Sequence, residues 1–267
     1  MNDSVSEPNV IYEDEEILVL NKPAGITVNR SETTRGDITV QDWVEQYLKI
    51  PSTKSEIRNK SKIINPNDQN NFEFRDSGFE FLNRAGIVHR IDKETSGILL
   101  VAKTKEAFID LQAQFKERKV KKTYLALAHG KIESEEGEIR VPVGRLPWNR
   151  KKFGVVADGR EAVTKYKVLS IKHSVFDKKG EPLTLLELYP ETGRTHQIRV
   201  HLKYINHPIF SDFLYAGRKI SRNDRKILNR VFLHAHEISF YHPKSKKLVS
   251  FESNLPEELL SVINKLE

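Results

Sequence analysis

One stretch constrains this 267-residue chain more than any other: Ile87-Val-His-Arg-Ile-Asp-Lys-Glu-Thr-Ser-Gly-Ile-Leu-Leu-Val101. Arg90 and Asp92 stand two residues apart, directly ahead of a Thr-Ser-Gly turn. The apolar run Ile98–Ala102 then follows with the make-up of a strand. Side chains two apart on extended backbone point the same way, so Arg90 and Asp92 are expected on one wall of a cleft. Basic neighbours favour the ionised form of a carboxyl group, which keeps it available as a nucleophile.

Composition narrows the chemistry. Lys+Arg 44 against Asp+Glu 37 leaves a net charge of +7, a balance that suits a polyanionic partner. The chain has no cysteine, which excludes disulfides, thiolate nucleophiles and Cys-based zinc or iron–sulfur sites. No glycine-rich loop stands between a strand and a helix, so neither ATP nor a dinucleotide is expected as cofactor. His196 and His201 lie five apart, and His234 and His236 share an expected strand. No carboxylate stands at ligand spacing beside either pair, and no metal site is expected. What remains is an enzyme that works with carboxylate, base and aromatic alone. No apolar run is long enough for a membrane span, and the polar start Met1-Asn-Asp-Ser is not a signal peptide; a cytoplasmic protein is expected.

The pattern along the chain alternates strands with helices. Residues 1–9 read as a polar tail. Ile11-Tyr12 and Ile17–Leu20 read as strands joined by an acidic turn, with Pro23 and Gly25 bending the chain next. Thr39 is placed to cap a helix with apolar positions Val40, Trp43, Val44, Tyr47 and Leu48, ended by Pro51. Residues 52–78, rich in Ser, Asn, Lys and Asp, have no periodicity and read as an exposed loop. Lys105–Lys119 reads as a helix with a core stripe of Phe108, Leu111 and Phe115, and Tyr124–His129 as a strand. Ile139–Val143 is β-like, and Arg145–Lys152 gathers basic residues around Trp148. Glu161–Ile171 and Leu183–Tyr189 pair as a hairpin turning near Lys179-Gly180. A helix is expected over Thr195–Ile205, a basic helix over Arg222–Arg230, a strand over Glu237–Tyr241, and a last helix opened by Leu255-Pro-Glu-Glu. The reading is α+β: a single domain over 10–267 on a mixed, largely antiparallel sheet.

Asp92 and its neighbours resemble the signature of the RluA-type pseudouridine synthases, His-Arg-Leu-Asp-x-x-Thr-Ser-Gly, with Ile91 in place of the usual Leu. Four further blocks fit that family in order and spacing: Asp14–Val28 with its Lys-Pro-x-Gly turn, Lys121–Leu127, Thr192–Leu202 and Leu233–Pro243. The resemblance covers about Ile11 to Pro243. It implies a long bent sheet with flanking helices and a central basic cleft, in which specific uridines of rRNA or tRNA are flipped out and isomerised. That reaction breaks the N-glycosidic bond, turns the uracil and forms a C–C bond at C5, with no redox step, energy input or cofactor. A carboxylate suffices, by adding at C6, attacking C1′ or acting as base on the sugar; the three routes stay open.

The resemblance also assigns roles. Asp92 is the expected nucleophile or base, and Arg199 its permanent cationic partner, without which a desolvated carboxylate takes up a proton. Arg90 is expected to fill the gap left by the flipped base or to contact the displaced backbone. Tyr124 is expected to pack on the uracil, since an aromatic face tolerates its rotation. Leu233 lines the other side, His89 orients the loop, and Arg194 and Lys22 meet phosphates, together with Arg145, Arg150, Lys151, Lys152 and Lys203. Only ten residues precede the first strand, so the small S4-like RNA-binding domain of many relatives is not expected. A compact stem-loop substrate and a monomer are. The rival readings are a non-catalytic RNA-binding protein of the same fold and a small-sugar glycosidase. The glycosidase needs a second acid, which has no motif here.

Overall fold

A computed structural model of the chain describes residues 7–31, 34, 36–50, 77–174 and 180–266. The expected loop at 52–78 therefore falls almost wholly outside the described residues, as do the stop at Pro51 and positions 1–6 of the expected tail.

The first elements follow local rules. β1 (Asn9–Glu13) and β2 (Ile17–Lys22) form an antiparallel hairpin across the acidic turn, where Asp14 Oδ1 accepts from the N–H groups of Glu16 and Ile17 at 2.8 and 2.9 Å. α1 (Val40–Tyr47) opens on Thr39 with a reciprocal capping box. Thr39 Oγ1 accepts from Asp42 N, and Asp42 Oδ2 accepts from Thr39 N. Val40 and Val44 are buried, while Tyr47 stays exposed and stacks on Trp43. α2 (Ser77–Asn83), which the sequence reading did not foresee, sets Phe81 edge-on against Phe108 of α3 (Lys105–Lys116).

The remaining strands are β3 (Ser96–Ala102), β4 (Lys121–His129), β5 (Glu136–Arg140), β6 (Val143–Leu146), β7 (Asn149–Val155), β8 (Val163–His173), β9 (Pro182–Pro190), β10 (Leu233–Tyr241) and β11 (Leu248–Glu252). The main sheet runs β1-β2-β3-β10-β4-β9-β8-β5, with β11 also on β10; β6 and β7 make a separate hairpin. Among the described residues every pairing is antiparallel except β3 with β10, so the sheet is mixed and largely antiparallel as expected. Helices α4 (Gln197–Tyr204), α5 (Arg218–Asp224) and α6 (Glu257–Asn264) complete the order.

The two-residue period of the strands divides the core between the sheet faces. Leu18, Leu20, Leu99 and Val101 pack with α1, α4 and α6 through Val44, Ile198, Leu202 and Leu259. Ile17, Val19, Ile98 and Leu100 pack on the other face with Phe108 and Leu111, the stripe foreseen on α3. β3 is buried along its whole length because both faces are covered.

Two expected boundaries are corrected. The basic helix expected over Arg222–Arg230 is α5, Arg218–Asp224. It ends because the Asp224 carboxylate turns inward to Ser211 N and His129, and Arg225 swings to Glu94. The strand expected from Glu237 begins at Leu233, because its first residues are paired on both sides, to β3 and to β4.

The parallel junction is tight. Gly97 has φ +110°, and a Cβ there would stand 2.2 Å from the Ala235 carbonyl oxygen. Gly97→Ala combines a left-handed backbone with a backbone clash, and strain of this kind costs on the order of 1–3 kcal/mol before the clash is added. The expected outcome is a fall of at least about 4 °C in the unfolding midpoint, read by circular dichroism. An unchanged midpoint would show that the junction yields.

Candidate active site

The starts of β3 and β10, the middle of β4 and the chain leaving β9 converge on a cleft of about 500 Å3. Its walls include Arg90, Asp92, Tyr124, Arg194, Arg199, His89 and Leu233, so the fold gathers residues spread over more than a hundred positions.

Arg199, in the first turn of α4, is the organising group. It is buried, and its Nε and Nη2 donate to Asp212 Oδ2 and Oδ1 at 2.7 and 2.9 Å. This fork-on-fork contact fixes the guanidinium plane and leaves Nη1 to donate to Asp92 Oδ2 at 3.1 Å. Tyr215 covers one guanidinium face, its ring centroid 5.0 Å from Cζ. Burial alone disfavours the Arg199 charge, but Asp212 and Asp92 more than reverse this and raise its pKa. Asp212 is fully buried and also accepts from the N–H groups of Leu214 and Tyr215. Sequence reasoning missed it. The available signal was an acid set inside the apolar run Ile209-Phe-Ser-Asp-Phe-Leu-Tyr215, since an acid in such surroundings needs a buried partner.

The segment before α4 is rigidly held. The Gln197 side chain accepts from Thr192 Oγ1 and Arg194 N and donates to Val163 O and Thr164 Oγ1. His196 takes a left-handed conformation, φ 57°, which turns its ring into the cleft. There Nδ1 lies 2.8 Å from the Tyr215 hydroxyl and Nε2 3.9 Å from Asp92 Oδ2. Burial lowers the His196 pKa, so the ring reaches neutrality more easily than a free imidazole.

Tyr124 and Leu233 come from adjacent strands. β10 pairs with β4 so that Ala235 faces Tyr124 and Leu233 faces Ala126, placing the tyrosine and the leucine on the same side of the sheet. Burial, with the Asp92 charge adding, raises the Tyr124 pKa, so the phenol keeps its proton. His89 Nε2 accepts from Leu100 N at 2.9 Å and its ring stacks on Phe115, tying the segment before Asp92 to β3. Burial holds its pKa at about 3, with Lys122 and Arg84 adding, which keeps Nε2 an acceptor. Arg90 is exposed at the cleft wall, with no ion pair among the described residues.

The expected set of phosphate contacts is largely replaced. Lys22 is fully buried, and its ammonium donates to the carbonyls of Pro23, Ile26 and Lys93 at 2.8, 3.0 and 3.2 Å. The Pro-Ala-Gly turn closes over the end of β2, and the carbonyls of Pro23, Ile26 and Lys93 take all three ammonium hydrogens, leaving none for a phosphate. Lys152 donates to Leu214 O, Arg145 lies over Phe153, and the side chains of Arg150 and Lys151 lie outside the described residues. Lys203 is exposed on α4 and does not line the cleft. Among the described side chains of the expected phosphate contacts only Arg194 lines the cleft, where it is joined by Arg84, Lys116, Arg118, Lys122 and Arg160. These come from the end of α3, the residues just after α2 and α3, β4 and the segment before β8, a grouping that no local pattern reveals.

Comparison with known proteins agrees with this geometry. A family model described as RNA pseudouridylate synthase matches residues 16–204. The chain is 35% identical over 267 residues to an uncharacterized RNA pseudouridine synthase of Bacillus subtilis, covering 99% of this chain and 75% of that protein. It is 36% identical to ribosomal large subunit pseudouridine synthase D of Nitrosomonas europaea, covering 96% of this chain and 64% of the relative. Among solved structures, human RNA pseudouridylate synthase domain containing 1 superposes with a TM-score of 0.68 at 26% identity, covering 100% of this chain and 90% of the other.

Buried Lys22 makes a pH prediction. Burial pulls its pKa from 10.5 to about 7; the Arg230 charge adds to this and the Asp92 charge opposes it. The folded chain releases this proton near pH 7, whereas the unfolded chain holds it until about 10.5. Within that window the unfolded state binds more protons, so this group makes stability rise with pH. Lys22→Met is expected to lose that rise in urea titrations between pH 7 and 10, whatever its absolute stability. An unaltered slope would show that Lys22 titrates normally.

Proposed function

This chain belongs to the RNA pseudouridylate synthase family, with motifs of the RluA type, and we propose that Asp92 is the group that converts uridine to pseudouridine in its RNA substrate. The chain is an isomerase acting on RNA. The observation that carries the assignment to Asp92 is the contact at 3.1 Å between its carboxylate and a buried arginine that Asp212 holds in place. A guanidinium at this distance favours the charged form of a carboxyl group, the form that acts as nucleophile or base.

In this reading the target uridine leaves its stack and enters the cleft between Tyr124 and Leu233. Arg90 fills or braces the space it vacates, and Arg118, Lys122, Arg160 and Arg194 receive the phosphates. The N1–C1′ bond breaks, the uracil turns against the Tyr124 ring, C5 bonds to C1′, and the C5 hydrogen passes to solvent as N1 gains a proton. His196, close to both Asp92 and Tyr215, is placed to hydrogen-bond the turning base. The alternative of a non-catalytic RNA-binding protein has no support in a cleft that keeps the paired carboxylate.

The finer reading concerns the target. The Nitrosomonas relative is named for the large ribosomal subunit, and we place this chain's target in large-subunit rRNA in preference to tRNA. It acts there as a cytoplasmic monomer without nucleotide cofactor, with residues 10–267 forming one catalytic domain. Mapping pseudouridines in rRNA and tRNA from cells with and without the protein tests this directly; a site lost only from tRNA overturns it.

Two expected outcomes test the site. Asp92→Asn is expected to abolish release of tritium from [5-³H]uridine RNA while leaving RNA affinity within about threefold, a binding difference under 1 kcal/mol. Retained tritium release would remove Asp92 from the mechanism. Tyr124→Phe is expected to stay at least partly active and Tyr124→Leu to lose more, because the ring face is the working part; equal rates would exclude the stacking role.

A further inference from the structure

Behind the Asp92 turn lies a second buried guanidinium that the site described so far does not use. Arg230 is buried just ahead of β10. Its Nη1 donates to the carbonyls of Glu94, Val231 and Leu233 at 3.1, 3.3 and 3.3 Å, and its Nη2 donates to Ser96 Oγ at 3.0 Å. Nε reaches Glu258 Oε1 at 2.6 Å, on a carboxylate that is 53% exposed. Apart from Glu258 its acceptors are neutral, and they lie on just two segments. One, Glu94–Ser96, leaves the Asp92 turn; the other, Val231–Leu233, leads into the strand whose first residue lines the cleft.

The contacts continue in one direction. Ser96 Oγ lies 2.8 Å from His234 Nδ1, and His234 Nε2 lies 2.9 Å from Ser253 O. Because a carbonyl only accepts, Nε2 carries the hydrogen; in the neutral ring Nδ1 then accepts from the serine hydroxyl, which in turn accepts from Arg230. Burial keeps this imidazole neutral, with its pKa at about 4. The same two segments are joined a second time, by the N–H of Val231 donating to Glu94 Oε2 at 3.1 Å. From the other side, Gly25 N and Lys22 Nζ both hold the Lys93 carbonyl. The residues that follow Asp92 are thus gripped through successive carbonyls and a hydroxyl.

We propose that Arg230 is a positioning residue for the isomerisation, locking the exit of the Asp92 turn to the strand that carries Leu233 and so fixing where the carboxylate stands relative to the bound base. The proposal rests on Asp92 being the reactive group. Packing alone does not explain this side chain. A buried cation satisfied mainly by neutral acceptors is costly compared with an apolar group of similar volume. A planar fork that reaches two segments at once is something only arginine supplies.

The test uses the full chain and [5-³H]uridine RNA under single-turnover conditions. Lysine keeps the charge but cannot span both segments, so Arg230→Lys is expected to slow tritium release on the order of 100-fold, as a misplacement of about 1 Å does. RNA affinity, measured by filter binding, is expected to stay within threefold of the parent. Glu258→Gln, which removes only the outer partner, is expected to keep the rate within twofold. Ser96→Ala is expected to slow the reaction less than Arg230→Lys, and the double variant to be no slower than Arg230→Lys alone, because both act on one turn.

A normal rate in folded Arg230→Lys overturns the proposal, and so does a fall in RNA affinity equal to the fall in rate. If Arg230→Lys does not fold, Ser96→Ala decides: an unchanged single-turnover rate overturns the proposal, and a slowed rate with unchanged affinity supports it. Full activity in Asp92→Asn would sink the underlying assignment instead, an outcome read on a different variant.

Discussion

The guanidinium of Arg199 is the fixed point of this molecule. An arginine held out of water between two carboxylates is stable only if its geometry is near ideal, because desolvation of each charge costs several kcal/mol. The chain meets that condition with the two-pronged contact to Asp212, two backbone N–H groups on Asp212, and the Tyr215 ring across the guanidinium face. Only then is Nη1 free to face Asp92. Much of the surrounding structure follows from this need. The left-handed His196, the Gln197 network to β8 and the turn after Ile209 all serve to bring α4 and Asp212 into register.

Two buried basic side chains show how similar charges are put to different uses. Arg199 meets carboxylates, one of them Asp92 at the cleft. Lys22 meets only carbonyls and pins the turn beside Asp92 from beneath. The cations that line the cleft wall at the ends of α2 and α3, on β4 and in the loop before β8 are ones the sequence did not single out. Charge type alone therefore does not reveal role. The acceptors around each nitrogen do.

Much of the fold was legible in the chain because local rules and tertiary packing agreed. Thr39 with Asp42 made a cap, Phe108 and Leu111 made a stripe, and Ile98–Ala102 made a strand covered on both faces. Asp92, Tyr124, Arg199 and Leu233 were found through motifs whose spacing survives without knowledge of the fold, and they do line one cleft. What escaped was set by long-range contact. Lys22 carries the same charge as a surface lysine, and only the closure of the Pro-Ala-Gly turn makes it a core residue. α5 ended early because Asp224 and Arg225 found partners far away in sequence, at His129 and Glu94. Asp212 has no motif of its own and gains meaning only from a guanidinium 13 residues earlier.

The place of β10 in the sheet has a consequence for how the molecule is made. β3 and β4 follow one another along the chain, joined through α3, yet β10 lies between them. Until that late segment leaves the ribosome, the nascent chain carries a vacant slot with two bare strand edges, each able to recruit a foreign strand. Asp92, just ahead of β3, and Tyr124, on β4, belong to opposite banks of the gap. The cleft they line is therefore complete only once β10 has been inserted between β3 and β4.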